Sequence, residues 1–171
     1  MSLIKIRWKK GLSNTISSNE KKTINSSIKL LTEFIVSKYT PKLKPAICLC
    51  PFYNIPGVVE SLDSLVGLTL TEEGKVYLNS DLIKAKYSST SLMDTYFLEI
   101  VLVHELTHLV VRDKIHHSLK WARTVIDIWK DIFDILPEWQ VISWLKFKEL
   151  ILKDLESNMS KTKYMKVISY I

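Results

Sequence analysis

At 171 residues, 47% hydrophobic and 25% charged, the chain has the balance of one soluble globular domain, long enough to bury a core without disulfides. Four glycines and five prolines exclude long flexible linkers, and no internal repeat or low-complexity stretch is present. The formal charge of +6 permits an acidic partner without requiring one, because a lysine excess also serves solubility.

Residues Met1 to Ser17 are basic first and polar later, with Lys5, Arg7, Lys9 and Lys10 among apolar residues. A flexible segment and an edge strand are both compatible with that pattern. Met1 to Lys10 lacks the apolar run of a signal peptide, so a cytoplasmic location is expected. Ser18 or Asn19 is positioned to cap a helix in which Ile24, Ile28, Leu31, Phe34 and Ile35 recur at helical spacing up to Tyr39. Pro41 and Pro45 close it, and Ala46 to Pro51 reads as a short strand.

Cys48 and Cys50 stand two apart in that strand and point to one face, where a disulfide between them would be strained. Free thiols in a packed environment are expected. Tyr53 to Ser61 reads as loop. Leu65 to Leu70 and Lys75 to Asn79 read as strands flanking Thr71-Glu72-Glu73-Gly74, with Gly74 supplying the positive φ of a hairpin turn.

The remainder is helical. Ser91 and Asp94 form a capping-box pattern that opens a helix running to about Arg112. A second helix begins near Ser118 and ends before Pro137, and a third runs from about Glu138 to Ser157. Ser160 to Ile171 is a basic tail with Tyr164 and Tyr170, read as flexible. Tyr96 to Val111 is the longest apolar segment, but Glu99, His104, Glu105 and His108 interrupt it, so no membrane span is expected.

All four histidines lie between positions 104 and 117. His104 and His108 are one helical turn apart on one face, so their imidazoles can converge on one ion at the ~2.0–2.1 Å of zinc–nitrogen bonds. Glu105 projects about 100° around the helix, where it can reach a metal-activated water without ligating the metal. This is the H-E-x-x-H arrangement of zinc peptidases, placed near the middle of a helix that reads as amphipathic. A catalytic zinc takes three protein ligands, and both His116 and His117 follow where the chain must turn.

His104-Glu105-Leu106-Thr107-His108, eight intervening residues, and then His117-Ser118-Leu119-Lys120-Trp121 resembles the SprT-like metallopeptidase family, which includes the bacterial SprT proteins and the crosslink protease Spartan. Residues 91 to 121 carry the main match. The strand pair with Val66-Gly67-Leu68-Thr69 and Val76-Tyr77-Leu78-Asn79 is similar to the strands preceding that family's active-site helix. The resemblance implies His117 as third ligand and Trp121 packing against the site. The four-cysteine zinc ribbon frequent in SprT proteins has no counterpart, since no cysteine follows Cys50.

The expected fold is thus α+β and zincin-like: an N-terminal helix, a small mostly antiparallel sheet, the active-site helix and two C-terminal helices, in a single domain spanning 1–171. The expected activity is zinc-dependent hydrolysis of a protein or peptide, with His104, His108 and His117 holding Zn2+. Glu105 is the general base toward a water whose pKa the metal lowers to about 7. Val66, Gly67, Leu68 and Thr69 are candidate substrate-binding residues, because an extended chain can pair with a free sheet edge.

Two alternatives remain at this point. In gluzincins a glutamate on a later helix is the third ligand, and Glu138, Glu149 and Glu156 are available. A zinc-stabilised nucleic-acid-binding protein without peptidase activity would use the basic tail, Lys161, Lys163 and Lys166 interleaved with Tyr164 and Tyr170, for weak phosphate and base contacts.

Overall fold

The computed structural model describes residues 4–9, 12, 16–51, 66–113, 116–139 and 142–171. The loop expected over 53–61, and Leu65, lie outside them. The described elements fall in two compact units, Met1–Val110 and Val111–Ile171.

The first unit is α+β. It comprises β1 (Lys5–Trp8), α1 (Ser18–Tyr39), β2 (Ala46–Cys50), β3 (Gly67–Leu70), β4 (Lys75–Asn79), α2 (Asp81–Ser88) and α3 (Leu92–Val111). The helix cap is Ser17, one residue ahead of expectation, because Ser17 and Glu20 complete a reciprocal capping box. Glu20 Oε2 accepts from the Ser17 N–H at 2.8 Å, and Ser17 Oγ accepts from the Glu20 N–H at 3.3 Å. Those hydrogen bonds hold the Glu20 carboxyl below its ordinary pKa, the Ser17 hydroxyl contributing most. The apolar positions read from the sequence do their expected work: Ile24, Ile28, Leu31 and Ile35 are fully buried, each contributing about 1.5–3 kcal/mol by leaving water.

The four strands run in the order β1-β2-β4-β3. The expectation of a mostly antiparallel sheet is corrected: β1 pairs with β2 in parallel, β2 pairs with β4 in parallel, and only β3 and β4 are antiparallel. The cause is connectivity. Helix α1 carries the chain back between β1 and β2 and so makes a parallel crossover, whereas β3 and β4 share the short turn Thr71 to Gly74. Gly74 sits there at φ 65°, and a Cβ on it would stand 3.1 Å from the Lys44 carbonyl oxygen.

Ile47, Leu49, Val76 and Leu78 lie on one face of the sheet and are fully buried. Cys48 and Cys50 project from the other face as free thiols, Cys50 buried and Cys48 half-buried. The basic N-terminal residues form β1 at the sheet edge, the strand alternative for that segment. Helix α2 was not visible in the sequence pattern.

The second unit is helical: α4 (Leu119–Ile135), a 3₁₀ turn (Pro137–Trp139), α5 (Trp144–Asn158) and α6 (Lys161–Ile168). The third helix expected from Glu138 begins instead at Trp144. Pro137 opens only a single 3₁₀ turn, and Ser143, whose hydroxyl accepts from the Lys146 N–H, caps α5. Trp129, Phe133, Trp139 and Phe147 form its aromatic core, with Trp129 and Phe147 centroids 4.6 Å apart.

The tail expected to be flexible is helix α6 followed by an anchored end. Val167 is fully buried, and Tyr170 donates its hydroxyl to Asp127 at 3.1 Å beneath the guanidinium of Arg123. Among the described residues three α-helices therefore follow α3, one more than expected. Among the described residues no helix is long and apolar enough to cross a membrane.

Candidate metal centre

Helix α3 carries the motif, and its start is set locally. Ser91 Oγ accepts from the Asp94 N–H at 3.1 Å and donates to the Asp94 carboxylate at 2.8 Å. Hydrogen bonds from Ser89 and Ser91 lower the Asp94 pKa. From Leu98 to Thr107 every residue of α3 is buried. The helix is therefore not amphipathic over the motif, as the sequence reading had it, but enclosed on all sides.

One consequence is that the Glu99 side chain is buried, at 3% exposure. It is paired inside the unit through one oxygen: Glu99 Oε1 accepts from Lys86 Nζ of α2 at 2.7 Å and from Ser27 Oγ of α1 at 3.0 Å, while Oε2 has no hydrogen-bond partner among the described residues. Lys86 also donates to the Thr95 carbonyl. This ties three helices together one turn ahead of the histidines. In the sequence Glu99 reads only as an interruption of an apolar run.

His104 is buried at 7% exposure and His108 is half-buried one turn later, with ring centroids 5.3 Å apart in an edge arrangement. Glu105 is buried at 6%. Its carboxylate is oriented by β3: Thr69 Oγ1 donates to Glu105 Oε2 at 2.6 Å and lies 2.9 Å from the Glu105 backbone oxygen. Gly67, two positions earlier on the same face of β3, meets the same carboxylate from above. A Cβ there would stand 2.6 Å from Glu105 Oε1 and 2.8 Å from Val101 Cγ1.

Of the four residues proposed to bind substrate, Gly67 and Thr69 thus face Glu105, Leu68 projects to the opposite face, and the Val66 carbonyl accepts from the Asn79 N–H. Thr69 as a partner of Glu105 was missed in the sequence. The available signal was its period-two spacing from Gly67.

Helix α3 stops at Arg112, which adopts a left-handed φ of 49°. Ser118 Oγ donates to the Asp113 carboxylate and caps α4 by accepting from the Trp121 N–H at 3.0 Å. His117, just before that cap, has φ 49° as well. Its ring packs on Trp121 with centroids 4.6 Å apart. Left-handed backbone at a non-glycine residue costs about 1–2 kcal/mol and persists only where the surroundings impose it.

His104, His108 and His117 each offer one ring nitrogen, and these atoms lie within 4.8 Å of one another. Among the described residues no other set of three histidine, cysteine, aspartate or glutamate side chains does so. His116 is exposed and does not join them, and Glu138, Glu149 and Glu156 are exposed. Three imidazoles suit zinc by donor chemistry. Comparison with protein-family models, curated proteins and solved structures finds no match to this chain.

Proposed function

We propose that the protein is a zinc-dependent peptidase of zincin type, similar to the SprT-like family, with His104, His108 and His117 holding the metal. The observation that carries this reading is the convergence of three imidazole nitrogens within 4.8 Å around the helix that also bears Glu105. When bound, zinc supplies Lewis acidity, acidifying a water and polarising a carbonyl.

The chain's own residues do the rest. Glu105 accepts the proton of the attacking water and delivers it to the amine as the carbon–nitrogen bond breaks, so its carboxylate must be held ionised and aimed. The Thr69 hydroxyl and the absence of a side chain at Gly67 serve that orientation. Among the described residues β3 pairs only with β4, so an extended substrate has an edge to add to directly beside Glu105. Burial of His104 and Glu105 keeps bulk water from screening the charges involved.

The test is elemental analysis and cleavage of unfolded casein by the wild type, Glu105→Gln and His117→Ala. About one zinc per chain, retained in Glu105→Gln without cleavage and lost in His117→Ala, is the expected result. A chain that binds no zinc, or a Glu105→Gln variant that cuts as well as wild type, overturns the reading.

A further inference from the structure

Among the described residues the edge of the sheet opposite β3 is formed by β1. The Lys9 N–H donates to the Leu49 carbonyl at 3.0 Å, and in a parallel ladder alternate residues bond the same neighbour. Lys5, Arg7 and Lys9 therefore turn their backbone groups to β2, and those of Ile6 and Trp8 point away from the sheet. Beside this edge runs a groove of about 530 Å³ between β1 and α1. Ile4 and Ile6 form its apolar part, and Lys21, Lys22, Asn25 and Lys29 line its helical wall.

Charge is distributed on both sides of the edge. Lys22 and Lys29 are exposed on the helix side, and Lys5 and Arg7 are exposed on the other face of β1. Lys21 lies over the Trp8 ring at 5.2 Å, and Lys29 is paired with Glu33 only loosely, at 3.9 Å. A strand added to β1 would alternate its side chains between these two faces and meet cations on each.

The geometry points to a docking site in which an extended acidic peptide segment of a partner protein adds to β1 as a fifth strand. Outward N–H and C=O groups supply register, the Ile4 and Ile6 side chains supply apolar contact, and the flanking cations select carboxylates. The same cations disfavour a second copy of β1 as occupant, because like charges would face one another across the new pairing. Two strands, β2 and β4, separate the site from β3, and it is independent of the metal reading.

Fluorescence anisotropy on the Glu105→Gln chain, which leaves probes intact, tests this. The probe is a fluorescein-labelled peptide of about ten residues alternating glutamate and valine. Its control has the same charge with proline in place of valine, which cannot pair with an edge. Binding about tenfold tighter for the valine peptide, weakened about tenfold by Lys22→Glu with Lys29→Glu, is expected.

Equal binding of the proline peptide overturns the proposal, since charge alone would then suffice. Tighter binding of single-stranded oligothymidylate than of the valine peptide, with the same lysine dependence, also overturns it in favour of nucleic acid. The peptide comparison uses the unaltered groove, so it decides the matter even if the charge-reversal variant fails to fold.

Discussion

Gly67 and Glu105 are in such close approach that the smallest possible side chain on the strand would stand 2.6 Å from the carboxylate oxygen. Gly67→Ala should therefore push Glu105 aside. It should lose casein cleavage by about tenfold or more and cost about 1–3 kcal/mol of stability by overpacking. Full activity in this variant would mean that the position of the carboxylate has no bearing on turnover.

Thr69 acts on the same carboxylate through its hydroxyl. Thr69→Val keeps the shape and removes the donor, leaving Glu105 Oε2 short of one hydrogen bond at a cost of about 1–3 kcal/mol. Thr69→Ser should restore both stability and turnover, which would separate a positioning role from simple packing.

On the proposed zinc reading, metal removal should have a stability signature as well as a catalytic one. Zinc bound at about 100 times its dissociation constant adds about 2.7 kcal/mol, so chelation should lower the unfolding temperature of the wild type. His117→Ala should be insensitive to chelator, whereas His116→Ala should behave like wild type. Reversal of those two results would assign the third ligand to His116.

The Lys86–Glu99 pair is buried, with side-chain exposures of 13% and 4%. Glu99→Ala strands the Lys86 charge and should cost about 3–5 kcal/mol in urea unfolding, while Lys86→Met with Glu99→Leu should be nearly neutral. A mild effect of Glu99→Ala would show that Lys86 escapes to solvent.

At the end of α1, Thr40 holds φ 44° in an exposed position while its N–H caps Val36. A β-branched residue is ill-suited to that backbone, so Thr40→Gly should stabilise the protein by about 1 kcal/mol in thermal unfolding.

Burial raises the thiol pKa of Cys48, against a smaller opposing pull from Arg7 and then Lys75. A raised pKa means less thiolate at neutral pH than an ordinary cysteine has. Iodoacetamide should accordingly react slowly at pH 7 and about tenfold faster for each pH unit gained until the thiol titrates. A rate that plateaus below pH 8 would contradict burial as the controlling factor.

What was legible in the residues by themselves was whatever depends on local spacing. The period of α1, the Gly74 turn, the Ser91 cap and the presentation of His104 and His108 on one helical face need only a few neighbours in sequence. Pairing direction in the sheet was not local: it follows from the crossover that α1 makes between β1 and β2. Burial of the motif helix on every side was not local either, because an apolar run interrupted by charge reads as amphipathic until Lys86 and Ser27, from two other helices, are seen to pair with Glu99.

The third histidine shows the division most clearly. The sequence alone supplied two adjacent candidates after a turn, His116 and His117. The tertiary structure distinguishes them: His117 has a left-handed φ of 49° with its ring on Trp121 and one ring nitrogen within 4.8 Å of those of His104 and His108, whereas His116 is exposed. Local spacing cannot choose between adjacent side chains, because they diverge from one another and the choice rests on backbone conformation rather than on sequence period.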